Sequence, residues 1–125
     1  MDGESRLVYA NFLELGGEEE EAARQYVAGI KATWRREQIY GALLAFSDHL
    51  ARRAEGYFQS RNPQRALSFY ERSLEYLERS RDVDYRKSGL RAYEAKKMFM
   101  QGRLDFLRGA GIEGEVVDIP SPPAK

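Results

Sequence analysis

The chain has no cysteine, one histidine and one tryptophan among its 125 residues. Without cysteine there is no disulfide, no thiol nucleophile and no cysteine-based zinc site. The lone His49 follows Asp48, but neighbours on a helix point about 100° apart and do not form an oriented acid–base pair by themselves. A His-Glu pair at metal spacing, a phosphate-cradling glycine loop and a nucleophile elbow are all missing. No catalytic residue, metal or cofactor is therefore expected, and the chain is not expected to be an enzyme. Long apolar runs are missing too, which excludes a membrane-spanning helix. Residues 1–4 are acidic and lack the apolar core of a signal peptide, so a cytoplasmic location is expected.

What remains is ordinary for one soluble domain: 42% hydrophobic and 32% charged residues suffice for a single core. The net charge is zero, but the charges are sorted along the chain. Residues 1–30 carry seven acidic and two basic side chains, whereas residues 81–108 carry four acidic and eight basic ones. Such sorting can steer a partner or a second copy. It is equally what results when Glu18 to Glu21 complement a helix N-terminus and the bases decorate solvated faces.

Apolar spacing is helical up to residue 116, which predicts an all-α chain of five helices. The first runs from about Ser5 to Leu15 and closes on Gly16-Gly17, where glycine enters the left-handed cap conformation without steric cost. The second begins on the glutamates and carries Ala23, Tyr26, Val27, Ile30 and Trp34 on one stripe. Its break from the third, near Arg35-Arg36, has no local cap chemistry to mark it. The third helix, Glu37 to Gln59, is apolar on two sides and so is sandwiched between neighbours. Asn62 is a good N-cap and Pro63 suits the first turn of a fourth helix. Asp82 or Asp84 can cap a fifth, which ends on Gly109-Ala110-Gly111. Residues 1–111 form the expected domain. Residues 112–125, with Pro120, Pro122 and Pro123, are expected to be an extended or disordered tail, either a docking peptide or only a tail.

Ala54 and Tyr57 before the Asn62-Pro63 break, and Ala66, Tyr70 and Ser73 after it, carry a resemblance to the tetratricopeptide-repeat family. A weaker copy lies upstream in Ala10, Leu13, Gly17, Ala22, Tyr26 and Gly29, and a partial third in Ala95, Met98 and Gly102. Ala22 to Ala66 spans 44 residues against the common repeat of about 34, which is similar to the long-repeat variety of kinesin light chains. Leu50 stands where the family has an early tryptophan. The resemblance implies two stacked helical hairpins and a C-terminal capping helix, with a concave groove lined by the first, third and fifth helices. It directs Leu7, Asn11, Asp48, Ala51, Arg52, Glu55, Phe58, Gln59, Lys96 and Phe99 toward that groove. Asn11 matches an asparagine that clamps a peptide carboxylate or backbone in some members, whereas the accompanying lysine is replaced by Leu7.

The resulting expectation is a non-enzymatic scaffold or adaptor that binds a protein or peptide. Short arrays leave apolar end faces uncovered, so a homodimer is also expected. Two alternatives stay open. The basic fifth helix, with Arg86, Lys87, Arg91, Lys96 and Lys97 among aromatics, could bind nucleic acid. Alternatively, the second and third helices could join into one rod and build a structural, self-associating bundle.

Overall fold

The computed structural model describes residues 2–33, 36–83 and 89–123, with the backbone alone at 36 and 37. Trp34, Asp84, Tyr85, Arg86 and Lys87 lie outside the described residues. The chain forms five helices in the order α1 (Gly3–Leu15), α2 (Glu19–Ala32), α3 (Arg36–Gln59), α4 (Pro63–Val83) and α5 (Leu90–Gly109). No strand occurs among the described residues, so the fold is all-α.

Local chemistry sets several boundaries. Asp2 caps α1, its carboxylate accepting the Ser5 N–H at 2.7 Å, so the helix starts two residues before Ser5. Its other end closes with Gly17 at φ 81°. There the Glu18 N–H reaches back to the Leu13 carbonyl at 2.9 Å, a left-handed C-cap. After α3 the same closure falls on Arg61, at φ 63°, with the Asn62 N–H on the Tyr57 carbonyl. The Asn62 carbonyl then accepts the Ala66 N–H and starts α4. Asp82 does not cap α5: it lies in the last turn of α4, and α5 begins after Gly89. Helices α2 and α3 do not join into a rod, because α2 ends at Ala32 and Thr33 is extended at φ −91°, ψ 129°.

The helices pack as two antiparallel hairpins, α1 with α2 and α3 with α4, and α5 packs along α4. The first hairpin closes where two glycines cross. A Cβ on Gly3 would lie 2.9 Å from the Gly29 carbonyl oxygen, and one on Gly29 would lie 3.0 Å from Leu7 Cδ2. The second hairpin closes on small polar residues. Ser47 and Ser73 are fully buried and exchange hydrogen bonds, each hydroxyl donating to the other's backbone carbonyl at 2.7–2.8 Å. Their hydroxyls thus satisfy themselves inside the core while letting α3 and α4 approach closely. Between the hairpins Phe46 stacks on Tyr26 and meets Tyr76 edge-on, so one ring joins α2, α3 and α4.

The tail extends from α5 and lies along α4. Ser68 donates its hydroxyl to the Glu115 carbonyl and accepts the Glu115 N–H. Arg72 and Tyr76 donate to the carbonyls of Ile119 and Pro120 at 2.8 and 2.9 Å. Ile119 is buried at 7% exposure and acts as the anchor. Ile119→Asp is expected to release the tail at a cost of about 2 kcal/mol, the value of burying one such side chain. Limited proteolysis should then clip the chain after residue 112 while circular dichroism stays unchanged. An uncut tail would show that the backbone hydrogen bonds suffice to hold it.

Candidate functional site

Side-chain pairs link the three odd-numbered helices side by side. Asp48 on α3 accepts from Lys96 on α5 at 2.9 Å, and Glu55 accepts from Arg103 at 2.9 Å. Both pairs are separated by 48 residues, and the Phe58–Phe106 ring contact at 6.1 Å has the same offset. A constant offset means that α3 and α5 run parallel in fixed register. On the other side of α3, Arg52 clamps Glu14 of α1 with Nε at 2.6 Å and a terminal nitrogen at 2.8 Å. The first, third and fifth helices therefore share one face.

Glu14 is the centre of that face at its α1 end. Besides Arg52, its carboxylate accepts from the Tyr26 hydroxyl at 3.2 Å and pairs with His49 Nδ1 at 2.8 Å. Burial pushes this carboxyl up, but the hydrogen bonds from Arg52 and His49 and the charge of Arg52 outweigh it and hold it at about 2. His49 is fully buried between the Tyr26 and Phe46 rings. Burial lowers its pKa below the ordinary value, with Glu14 acting against that shift. At neutral pH it is thus an uncharged imidazole whose Nδ1–H donates to Glu14. The same burial, together with Glu14, pushes the Tyr26 hydroxyl up to about 12. Asp48 and His49 part company, one held by α5 and the other by α1, so they make no acid–base pair with each other.

The α5 end is apolar at its surface. Phe99 and Phe106 are exposed at 48% and 65%, and Phe58 is half-buried beside them. The Arg103 guanidinium lies 4.2 Å from the Phe58 ring centroid and 5.1 Å from that of Phe99, while Glu55 holds its charge. Glu55 also accepts from the Tyr70 hydroxyl, whose pKa is raised chiefly by burial.

Of the residues expected in the groove, the structure brings Asp48, Arg52, Glu55, Phe58, Lys96 and Phe99 onto this face. Asn11 is exposed one turn before Glu14, and Gln59 is exposed at the end of α3. Leu7 is turned to α2 instead, packed on Gly29, and Ala51 is partly buried against the core. Glu14, Arg103 and Phe106 belong to the face and were not expected there. Complementary residues recurring at one offset, Asp48 with Lys96 and Glu55 with Arg103, were the signal that could have found Arg103 and Phe106; Glu14, paired at a different offset, had none.

Several cations of α5 face acids of the same chain: Lys96 pairs with Asp48, Arg103 with Glu55 and Arg108 with Glu71. Arg91 and Lys97 are exposed. Among the described residues no cluster of metal-ligating side chains forms, and no helix is long and apolar enough to cross a membrane. Compared with family models, with curated proteins and with solved structures, the chain matches none.

Proposed function

We propose that the protein is a non-enzymatic, cytosolic interaction module of tetratricopeptide-like architecture that binds a protein or peptide across the α1–α3–α5 face. The observation that carries this reading is the exposed Phe99–Phe106 surface, with Phe58 beneath it, set beside partly exposed ion pairs. Rings left in water between charges offer an anchor for an apolar side chain, and the ion pairs around it offer orientation. Phosphate binding by α5 is less favoured, since three of its cations are already opposed by carboxylates.

The test is a peptide selection on the purified chain, with affinities of the selected peptides measured by calorimetry. Phe99→Ser with Phe106→Ser should weaken them by about tenfold or more and leave helicity unchanged, both side chains being largely exposed. If selected peptides bind the double variant as well as the original, the face is wrongly assigned. Self-association is a second reading, favoured by Val8, Phe12 and Leu15, which form an exposed apolar stripe on α1. Light-scattering mass at rising concentration decides it: a mass fixed at one chain removes it.

A further inference from the structure

Arg53 and Tyr57 lie on the side of α3 opposite the shared face, where the helix, α2, α4 and the tail border a half-open cavity of about 410 Å³. This is within the roughly 300–1,000 Å³ range of small-molecule sites. Val27, Phe69, Val117 and Ile119 supply apolar walls. Arg24 and Arg65 stand at the rim, and each already holds a glutamate, Glu21 and Glu115 respectively.

Arg53 differs from them in its burial and in how loosely its glutamate is held. Its side chain is only 9% exposed. The guanidinium packs over the Phe69 ring at 4.6 Å and donates a hydrogen bond to the Tyr57 hydroxyl at 3.1 Å. Its Nε has no hydrogen-bond partner among the described residues. Nε is ion-paired with Glu19 at 3.3 Å, but without hydrogen-bond geometry, and the Glu19 side chain is half exposed. A buried cation whose Nε–H goes unused and whose carboxylate counter-ion is half in water is incompletely compensated. Guanidinium binds a carboxylate edge-on through two parallel N–H groups. Glu20 and Asp118 line the same cavity and repel a polyanion, which favours a ligand with a single negative charge.

We propose that this cavity binds a small organic monocarboxylate with an aryl or branched alkyl body. The carboxylate takes the Arg53 edge in place of Glu19, and the body lies against Phe69, Val27 and the tail wall of Val117 and Ile119. The site is independent of the α1–α3–α5 face and survives the failure of that reading.

The probe is 3-phenylpropanoate, titrated into the full chain while the methyl resonances of Val27, Val117 and Ile119 are followed by NMR. Uncharged 3-phenylpropanamide and inorganic phosphate serve as comparisons. Saturable shifts are expected with the carboxylate, and binding weaker by about tenfold or more with the amide and with phosphate. Arg53→Gln should weaken the carboxylate by about the same factor. Because Arg53 is buried, Val117→Trp provides a second variant, filling the cavity from the tail while Arg53 stays in place. It should abolish the shifts, whereas Phe99→Ser with Phe106→Ser should leave them unchanged. The proposal is overturned if millimolar carboxylate gives no saturable shift, if amide or phosphate binds equally, or if binding persists in a folded Val117→Trp variant.

Discussion

Phe46→Ala is expected to lower the stability of the domain by about 4 kcal/mol, in the range for truncating a buried phenylalanine. Phe46 has no exposed surface. Its ring lies 5.5 Å from Tyr26, 5.9 Å from His49 and 4.7 Å from Tyr76, the last edge-on at 74°. The loss thus falls on α2, α3 and α4 together, and the gap cannot be refilled by one neighbour turning inward. Total stabilities of such domains are roughly 5–15 kcal/mol, so the variant should be close to unfolding at room temperature. Denaturant titration followed by circular dichroism checks this through a lower midpoint at unchanged slope. A loss below about 1 kcal/mol would mean that the two hairpins are held by something other than this aromatic cluster.

Glu14→Ala should cost about 3 kcal/mol at neutral pH, because the Tyr26 hydroxyl and the buried His49 Nδ1–H both lose their acceptor. The pH dependence separates this from mere truncation. In the original chain the Glu14 carboxyl is held at about 2 against an ordinary 4.5. Its contribution is therefore full above pH 4.5 and drains away between 4.5 and 2 as the unfolded chain takes up the proton first. The stability difference between original and variant should be widest near neutrality and close over that interval. His49 acts through the opposite chemistry with the same direction. Its folded pKa lies below 6.5, so the unfolded chain binds the proton more readily and stability falls as pH drops below 6.5. Urea midpoints measured from pH 7 to pH 2.5 read both. A difference that does not narrow below pH 4.5 would show that Glu14 acts only by packing.

Features carried by local chemistry were legible in the sequence. Gly17 closes α1 in the left-handed conformation, and Asn62-Pro63 opens α4, because each of these rests on residues within one turn of itself. The start of α5 was misread, since Asp82 offers a capping side chain but remains inside the last turn of α4. The tail was legible as non-helical, yet not as docked. Its partners Ser68, Arg72 and Tyr76 sit more than 40 residues away, and serine or arginine on a helix carries no mark of what it will bind. The burial of His49 carried no mark in the sequence. The ring is fully enclosed because Glu14, distant by 35 residues, supplies the partner that makes burial tolerable. Arg53 gave no signal either, since its cavity exists only once the tail lies across α4.

The pairs that hold the odd-numbered helices in register, Asp48 with Lys96 and Glu55 with Arg103, keep their side chains about one quarter to two fifths exposed. Ion pairs this wet contribute little to stability, roughly 0–1 kcal/mol each, so opening them is cheap. An incoming chain bearing charges of its own can trade places with either member, leaving the count of ion pairs unchanged. If a partner docks on this face as proposed, its recognition is an exchange reaction, in which selectivity comes from how well the newcomer's charge spacing copies the one it replaces.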